Sequence, residues 1–178
     1  VAWAAWRLYE PGNSFAQPYV LAGELSRDGK HLLWAFSRVP VAPFALDGGL
    51  AVTPDGSTAV ILWGHLSSAV SPNAHARLAV VKDHVLWEGT VHDFGTASAC
   101  RVSAPLISAS GTQVLASAQC PDGRAFLFGA SWILRLPGKA IGLPAFAIDA
   151  SGTIGLVAWP TISGTHATYS IETIKLTW

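Results

Sequence analysis

The chain has 178 residues, of which 51% are hydrophobic and only 12% charged, with a formal net charge of zero. Such a composition excludes a disordered chain, and the 11 scattered Lys and Arg residues lack the clustering that nucleic-acid phosphates demand. The length suits one domain with a real core or part of a larger one, and a charge share about half the usual one implies a surface covered by a partner or by more of the same protein.

There is no methionine, at position 1 or elsewhere. The expectation is therefore an N-terminus left by signal-peptide cleavage or a segment of a longer chain. Val1-Ala2-Trp3-Ala4-Ala5-Trp6 is not itself a signal peptide, because it lacks a basic start and a long apolar run. Trp3, Trp6 and Tyr9 recur at a spacing of three, so residues 1–18 read as an N-terminal arm, helix or strand, closed by Pro11-Gly12-Asn13.

From there the signals are those of strands and turns. Tyr19 to Ser26 reads as a strand, Arg27-Asp28-Gly29 as a turn, and His31 to Val39 as a second strand, which Pro40 and Pro43 end. Leu50-Ala51-Val52-Thr53 leads into Pro54-Asp55-Gly56, and Ser57 to Leu66 leads out. Residues 56–76 contain no Asp, Glu, Lys or Arg, a length that fits a membrane span. Gly64, Ser67, Ser68, Ser71, Pro72 and Asn73 interrupt it, so it reads as buried strand and loop, and no transmembrane segment is expected. Arg77 to Val81 and Val85 to Trp87 form a tight hairpin about Lys82-Asp83. His92 to Ser98 reads as a loop. Ala104 to Ser108 and Thr112 to Gln119 flank Ser110-Gly111, and Arg124 to Gly129 and Trp132 to Leu136 follow. The last group is Pro144 to Ile148, Ile154 to Trp159, Ala167 to Ile171 and Ile174 to Trp178. The chain is all-β.

Its turns repeat. With Gly29, Gly56, Gly111 and Gly152 in register, the fourth residue before each is Leu25, Val52, Ile107 or Ile148. The third before is Ser26, Thr53, Ser108 or Asp149, and the one before is Asp28, Asp55, Ser110 or Ser151. Ser, Thr and Asp bond turn backbone, and Gly takes a positive φ without strain. Gly111 to Gly152 spans 41 residues and Gly29 to Gly111 spans 82, twice that. A unit of that length holding about four short strands is a propeller blade in size. On this count Gly56 is out of phase and marks a second hairpin of the first blade.

The pattern hydrophobic-Ser/Thr-Pro-Asp-Gly, best in Thr53-Pro54-Asp55-Gly56 and nearly matched by Ser26-Arg27-Asp28-Gly29, resembles the turn between the first two strands of a blade in TolB-like and WD-repeat β-propellers. Ser110-Gly111 and Ser151-Gly152 lack the Asp, and no strand ends in Trp-Asp. The resemblance implies a β-propeller-like array of about four four-stranded antiparallel blades over residues 19–178, divided roughly as 19–66, 67–103, 104–142 and 143–178. Propellers of this kind usually have six to eight blades, which makes a fragment of a larger propeller a second form of the same expectation. Evenly spaced short strands also fit a β-sandwich.

Cys100 and Cys120 are the only cysteines. If strands 100–108 and 112–120 pair about a turn centred on residue 110, residues summing to 220 face each other, and these two do. Directly opposed cysteines in a non-hydrogen-bonded pair reach disulfide distance. A cross-strand disulfide and an oxidising compartment are one reading; two buried free thiols are the other.

Chemistry is sparse. Among the six histidines, His92-Asp93 with His84 and Glu88 is the densest cluster, and it reads as exposed loop and turn residues rather than a metal site. Asp28, Asp55, Asp83 and Asp122 belong to turns. Asp149 reads as a turn cap or a pocket carboxylate. Ser131 lacks the second glycine of a nucleophile elbow. No catalytic, cofactor-binding or metal-ligating residue is assigned, and no cofactor is expected. Of the eight tryptophans, Trp34, Trp63, Trp132 and Trp159 read as core. Trp3, Trp6, Trp87 and Trp178 are candidate partner contacts, since Trp is favoured at interface hot spots. The expectation is a non-catalytic, extracytoplasmic (periplasmic or secreted) protein-binding module, an accessory or structural subunit of a larger and membrane-associated complex. The alternatives are an enzyme or ligand-binding propeller whose funnel site extends beyond this chain, and a β-sandwich adhesin or fibre subunit.

Overall fold

The computed structural model describes residues 2–8, 19–25, 28, 30, 32–40, 44–66, 74–83, 85–95 and 100–176. Among them every regular element is a strand and every pairing is antiparallel. No helix among them is long and apolar enough to cross a membrane.

The strands form four sheets, each built from one continuous stretch of sequence. The first joins β1 (Ala2–Leu8), β2 (Tyr19–Leu25) and β3 (Leu32–Pro40). The second joins β4 (Phe44–Val52), β5 (Thr58–Leu66), β6 (Ala74–Lys82) and β7 (Val85–Asp93). The third joins β8 (Arg101–Val102) and β9 (Leu106–Ile107), both paired with β10 (Val114–Gln119), then β11 (Ala125–Phe128) and β12 (Ile133–Leu136). The fourth joins β13 (Ala145–Ile148), β14 (Ile154–Ser163) and β15 (His166–Lys175).

These groupings differ from the expected divisions at three places. The stretch 2–8 is no detached arm: it pairs along its whole length with β2, from Ala2↔Leu25 to Leu8↔Tyr19. The pair β4–β5 does not belong with 19–39. It continues into β6 and β7, because β5 and β6 match residue for residue from Thr58↔Lys82 to Leu66↔Ala74. Finally, 167–171 and 174–178 are not two strands. The hairpin β14–β15 runs unbroken from Ile154↔Lys175 to Ser163↔His166 around Gly164, with no turn former between Ile171 and Ile174. The last sheet therefore has three strands rather than four.

Two-residue periodicity explains the packing. In β10 and β11, Val114, Ala116, Ala118, Phe126 and Phe128 face one way and meet Val60, Leu62, Ala76, Leu78 and Phe94 of the second sheet and its flank. Leu115, Ala125 and Leu127 face the other way and, with Leu136, meet Val157, Trp159 and Leu176 of the fourth. The third sheet is thus apolar on both faces, as fully covered sheets are. Between β8 and β9 the strand carries one extra residue: paired positions sum to 220 at Val102–Ala118 and to 221 at Ile107–Val114. Pro105 has no N–H to give the ladder, and the Ser103 Oγ accepts the Ser117 N–H at 2.9 Å where the register shifts.

At the far end of that pair, Cys100 and Cys120 form a disulfide with Cα atoms 4.1 Å apart, and both are buried. The turn is centred between Ser110 and Gly111 rather than on residue 110, and the extra residue shifts the sum from 221 to 220 before the cysteines, so the two offsets cancel and the cysteines face each other.

Candidate functional site

Three of the repeated turns share one geometry. Across each loop the residue three before the glycine donates its N–H to the residue two after it: Thr53 to Thr58, Ser108 to Gln113 and Asp149 to Ile154, each at 2.9 Å. The glycine N–H returns to the carbonyl of the first residue, at 2.8–3.0 Å, and Gly56, Gly111 and Gly152 have φ of 74°, 72° and 77°. The first residue's side chain then caps the loop. Thr53 Oγ1 accepts the Thr58 N–H at 3.0 Å, and Ser108 Oγ accepts that of Gln113 at 3.1 Å. Asp149 Oδ1 accepts the N–H groups of Thr153 and Ile154, both at 2.8 Å. So Asp149 is a turn cap.

Where the carboxylate sits differs between turns. In the first it is Asp55, which accepts from the Thr53 hydroxyl at 2.6 Å and the Ser57 N–H at 3.0 Å. In the third it is Asp149, bonded by the Ser151 hydroxyl. These hydrogen bonds favour the ionised form and hold both carboxyls down at about 2. Around Gly29 only Asp28 and Lys30 are described, and the Lys30 N–H meets Asp28 Oδ1 at 3.1 Å, as Ser57 does Asp55. That turn joins β2 to β3, the second hairpin of its sheet. Gly56, Gly111 and Gly152 each close a first hairpin, so Gly56 is in step with the others. The 41-residue interval is not a constant period, because the second sheet's strands are longer.

The turns also stack. A Cβ on Gly111 would lie 3.1 Å from Thr58 Oγ1, and one on Gly152 would lie 2.8 Å from Gln113 Cγ and 3.1 Å from Ser108 Cβ. Each glycine therefore rests on the turn of the preceding sheet, and the stacking has a direction.

That direction leaves one face open. On the fourth sheet Gly155, Val157 and Trp159 point back to the third sheet and are buried. The alternate residues point away: Ile154, Leu156 and Ile162 are about half exposed, and on β15 Tyr169 and Ile171 are 76% and 65% exposed. Pairing places Leu156 opposite Thr173, Ala158 opposite Ile171 and Pro160 opposite Tyr169, so these residues form one continuous apolar surface, joined on β13 by exposed Ala145 and Ala147. A sheet of the same two-faced design lies bare on one side. Residues 150–171 contain no Asp, Glu, Lys or Arg, although exposed edge strands are ordinarily protected by charge.

The other candidates fall out as follows. Trp87 is 64% exposed on β7, beside exposed Val85 and Val91, a smaller apolar patch on the last strand of the second sheet. The side chains of Trp3 and Trp6, and all of Trp178, lie outside the described residues, as do the side chains of Trp34 and Trp63. Trp159 is core, and its Nε1–H donates to the Pro137 carbonyl at 3.1 Å. Trp132 is half-buried.

The described members of the histidine cluster do not converge. His84 lies outside the described residues. Glu88 pairs with Arg77, and Asp93 lies 3.6 Å from His75. His92 is on a strand rather than in a loop, and it is buried. Its Nε2 lies 2.8 Å from the Gly129 carbonyl and its ring packs on Phe128, while the Thr90 N–H donates to Ala130 at 2.9 Å. Together they tie the second sheet to the third. Burial pushes the His92 pKa below its usual value, against the opposing pull of the Gly129 carbonyl. Sequence reasoning missed this residue because its only signal was a position one strand-step from the buried Phe94.

Between the second and third sheets a cleft of about 370 Å³ is lined by Val80, Gly111, Thr112, Gln113, Val114, Ala130, Ser131 and Trp132. Among the described residues the lining has no histidine or carboxylate beside the Ser131 and Thr112 hydroxyls. Among the described residues no three His, Cys, Asp or Glu side chains gather as a metal would need. In comparison with known proteins, no family model, curated protein or solved structure matches the chain.

Proposed function

We propose that the chain is a β-propeller-like array of sheets serving as a non-catalytic, extracytoplasmic protein-binding module, an accessory or structural subunit of a larger assembly. The observation that carries this reading is the bare apolar face of the fourth sheet. Ile154, Leu156, Ile162, Tyr169 and Ile171 form a surface with the composition of a sheet core and no covering layer. Contiguous apolar surface of this kind marks interaction sites, and the absence of charge from residues 150–171 fits the depletion of charge at interface cores.

Two further features support the reading. The chain forms four consecutive sheets, and the turns of the second, third and fourth stack in one direction, which accords with the reading of successive blades. The Cys100–Cys120 disulfide accords with an oxidising compartment, whether periplasmic or outside the cell. The partner is protein; docking to a membrane-associated complex would go through it.

A photo-crosslinking residue at Tyr169 tests the proposal in the native host. Capture of a protein at Tyr169, with none at the exposed Lys82 of the second sheet, is the expected result. An uncrosslinked chain at Tyr169 under conditions where it is correctly oxidised would sink it.

A further inference from the structure

Building on that reading, we infer that the occupant of the bare face is a second copy of this chain, packed sheet on sheet through the residues between Ile154 and Ile171 about a two-fold axis. The first argument is charge. Residues 150–171 carry none. Of the flanking charges, Asp149 and Glu172 are exposed, Glu172 on the side that carries Val157, and Lys175 is paired with Ile154 at the far end of the open face. The face therefore meets its own copy with no like charges opposed at the centre, and it offers nothing by which a charged partner would be selected. The second argument is the mode of packing. This chain already buries itself by laying one apolar sheet on another, the second on the third and the third on the fourth. A copy of the fourth sheet supplies the same partner again. A single patch that contacts itself closes at two copies, the commonest symmetry of soluble oligomers.

Size sets the expected strength. Two ten-residue strands and one of four residues, at about 3.3 Å per residue and about 4.8 Å apart, give a footprint on the order of 400 Å² per side. That is below the roughly 800 Å² per partner of a standard stable interface, so a weak dimer whose population depends on concentration is expected.

Sedimentation equilibrium of the full, oxidised chain from roughly 1 to 100 µM tests this. A mass rising toward twice 18.7 kDa is expected. Leu156→Lys and Ile171→Lys, made separately, are each expected to weaken association by at least about tenfold. Circular dichroism and retention of the disulfide show that each variant is folded, and Ile162→Lys, at the end of the hairpin, replaces any that is not. Lys82→Glu, on the second sheet and away from the face, leaves association unchanged. Wild-type chain that stays monomeric throughout overturns the inference, as does a dimer that survives both lysine variants. A monomer that co-sediments with neutral phosphatidylcholine vesicles also overturns it, in favour of lipid. If the purified chain is monomeric yet Tyr169 still crosslinks to a different protein in the host, the second copy is excluded and the protein-binding reading stands.

Discussion

The third and fourth sheets are written in the same grammar and end in different circumstances. Both alternate apolar residues on both faces, and both begin with a capped turn closed by a glycine at positive φ. The third has a neighbour on each side, and Leu115, Leu127 and Phe128 are fully buried. Among the described residues the fourth has a neighbour on one side only, and Leu156 and Ile171 are half exposed or more. Apolar patterning thus states what a strand is able to bury. Whether anything arrives to cover it is decided by the order of the sheets.

The sharpest way to break that comparison is to truncate one leucine from each. Leu127→Ala, in the core between the third and fourth sheets, is expected to cost about 2–5 kcal/mol in urea unfolding, through lost transfer energy and an unfilled cavity. Leu156→Ala, half exposed on the open face, is expected to cost within about 0.5 kcal/mol in dilute solution, where the second copy is absent. Equal losses would mean that the fourth sheet is covered on both sides after all.

The disulfide comes next. It closes a loop with a sequence separation of 20, and in the chain-entropy account a loop of this length contributes about 3 kcal/mol. Reduction, checked as a gain of about two mass units, one hydrogen per sulfur, is expected to lower the unfolding midpoint accordingly. The effect should fall on the packing between the second and third sheets, because Cys100 and Cys120 belong to that core.

Much of this was legible in the residues. Most strand positions and the turns follow from period-two alternation and from Ser, Thr or Asp before Gly, while the count across the hairpin met the cysteines because the extra residue between β8 and β9 offset the true centre of the turn. The sheet boundaries were not legible, because the turn at Asp28 imitates the turn at Asp55 locally while standing at a different place in its sheet. Nine-residue strands in the second sheet and four-residue strands in the third also spoil any fixed interval. Nor does alternation reveal the bare face: Ile154-Gly155-Leu156-Val157 alternates no differently from Val114-Leu115-Ala116, and exposure depends on what lies opposite.

Two glycines separate the effect of conformation from that of stacking. Gly164 closes the β14–β15 hairpin at φ 61°, and a methyl group added there would meet nothing within 4 Å, whereas Gly152 has φ 77° and lies against Gln113. Gly164→Ala is expected to cost roughly 1 kcal/mol, the left-handed penalty alone. Gly152→Ala adds displacement of the neighbouring turn, and a total of roughly 2–3 kcal/mol is expected. Equal costs would show that the third and fourth sheets do not lean on each other at their turns.

The smallest effect compares the turns by what caps them. Asp55 and Asp149 titrate at about 2 in the folded chain, below the ordinary 3.8. The unfolded chain therefore binds protons first as the solution is acidified. The contribution of each carboxylate is complete above pH 3.8 and is lost as the pH falls toward about 2. The turn at Ser108 has a hydroxyl, Ser110, where the first turn has Asp55, and has no such titration. Amide exchange read across this acid range is expected to rise at Ser57, Thr153 and Ile154, whose N–H groups the carboxylates hold. At Gln113, held by the Ser108 hydroxyl, it should stay level after correction for intrinsic rates. Asp149→Ser would give the fourth sheet's turn the chemistry of the third's, and its acid sensitivity should vanish while that of Asp55 remains. If Gln113 opens together with Ile154, acid is loosening the stacked turns as one unit, and the caps do not act independently.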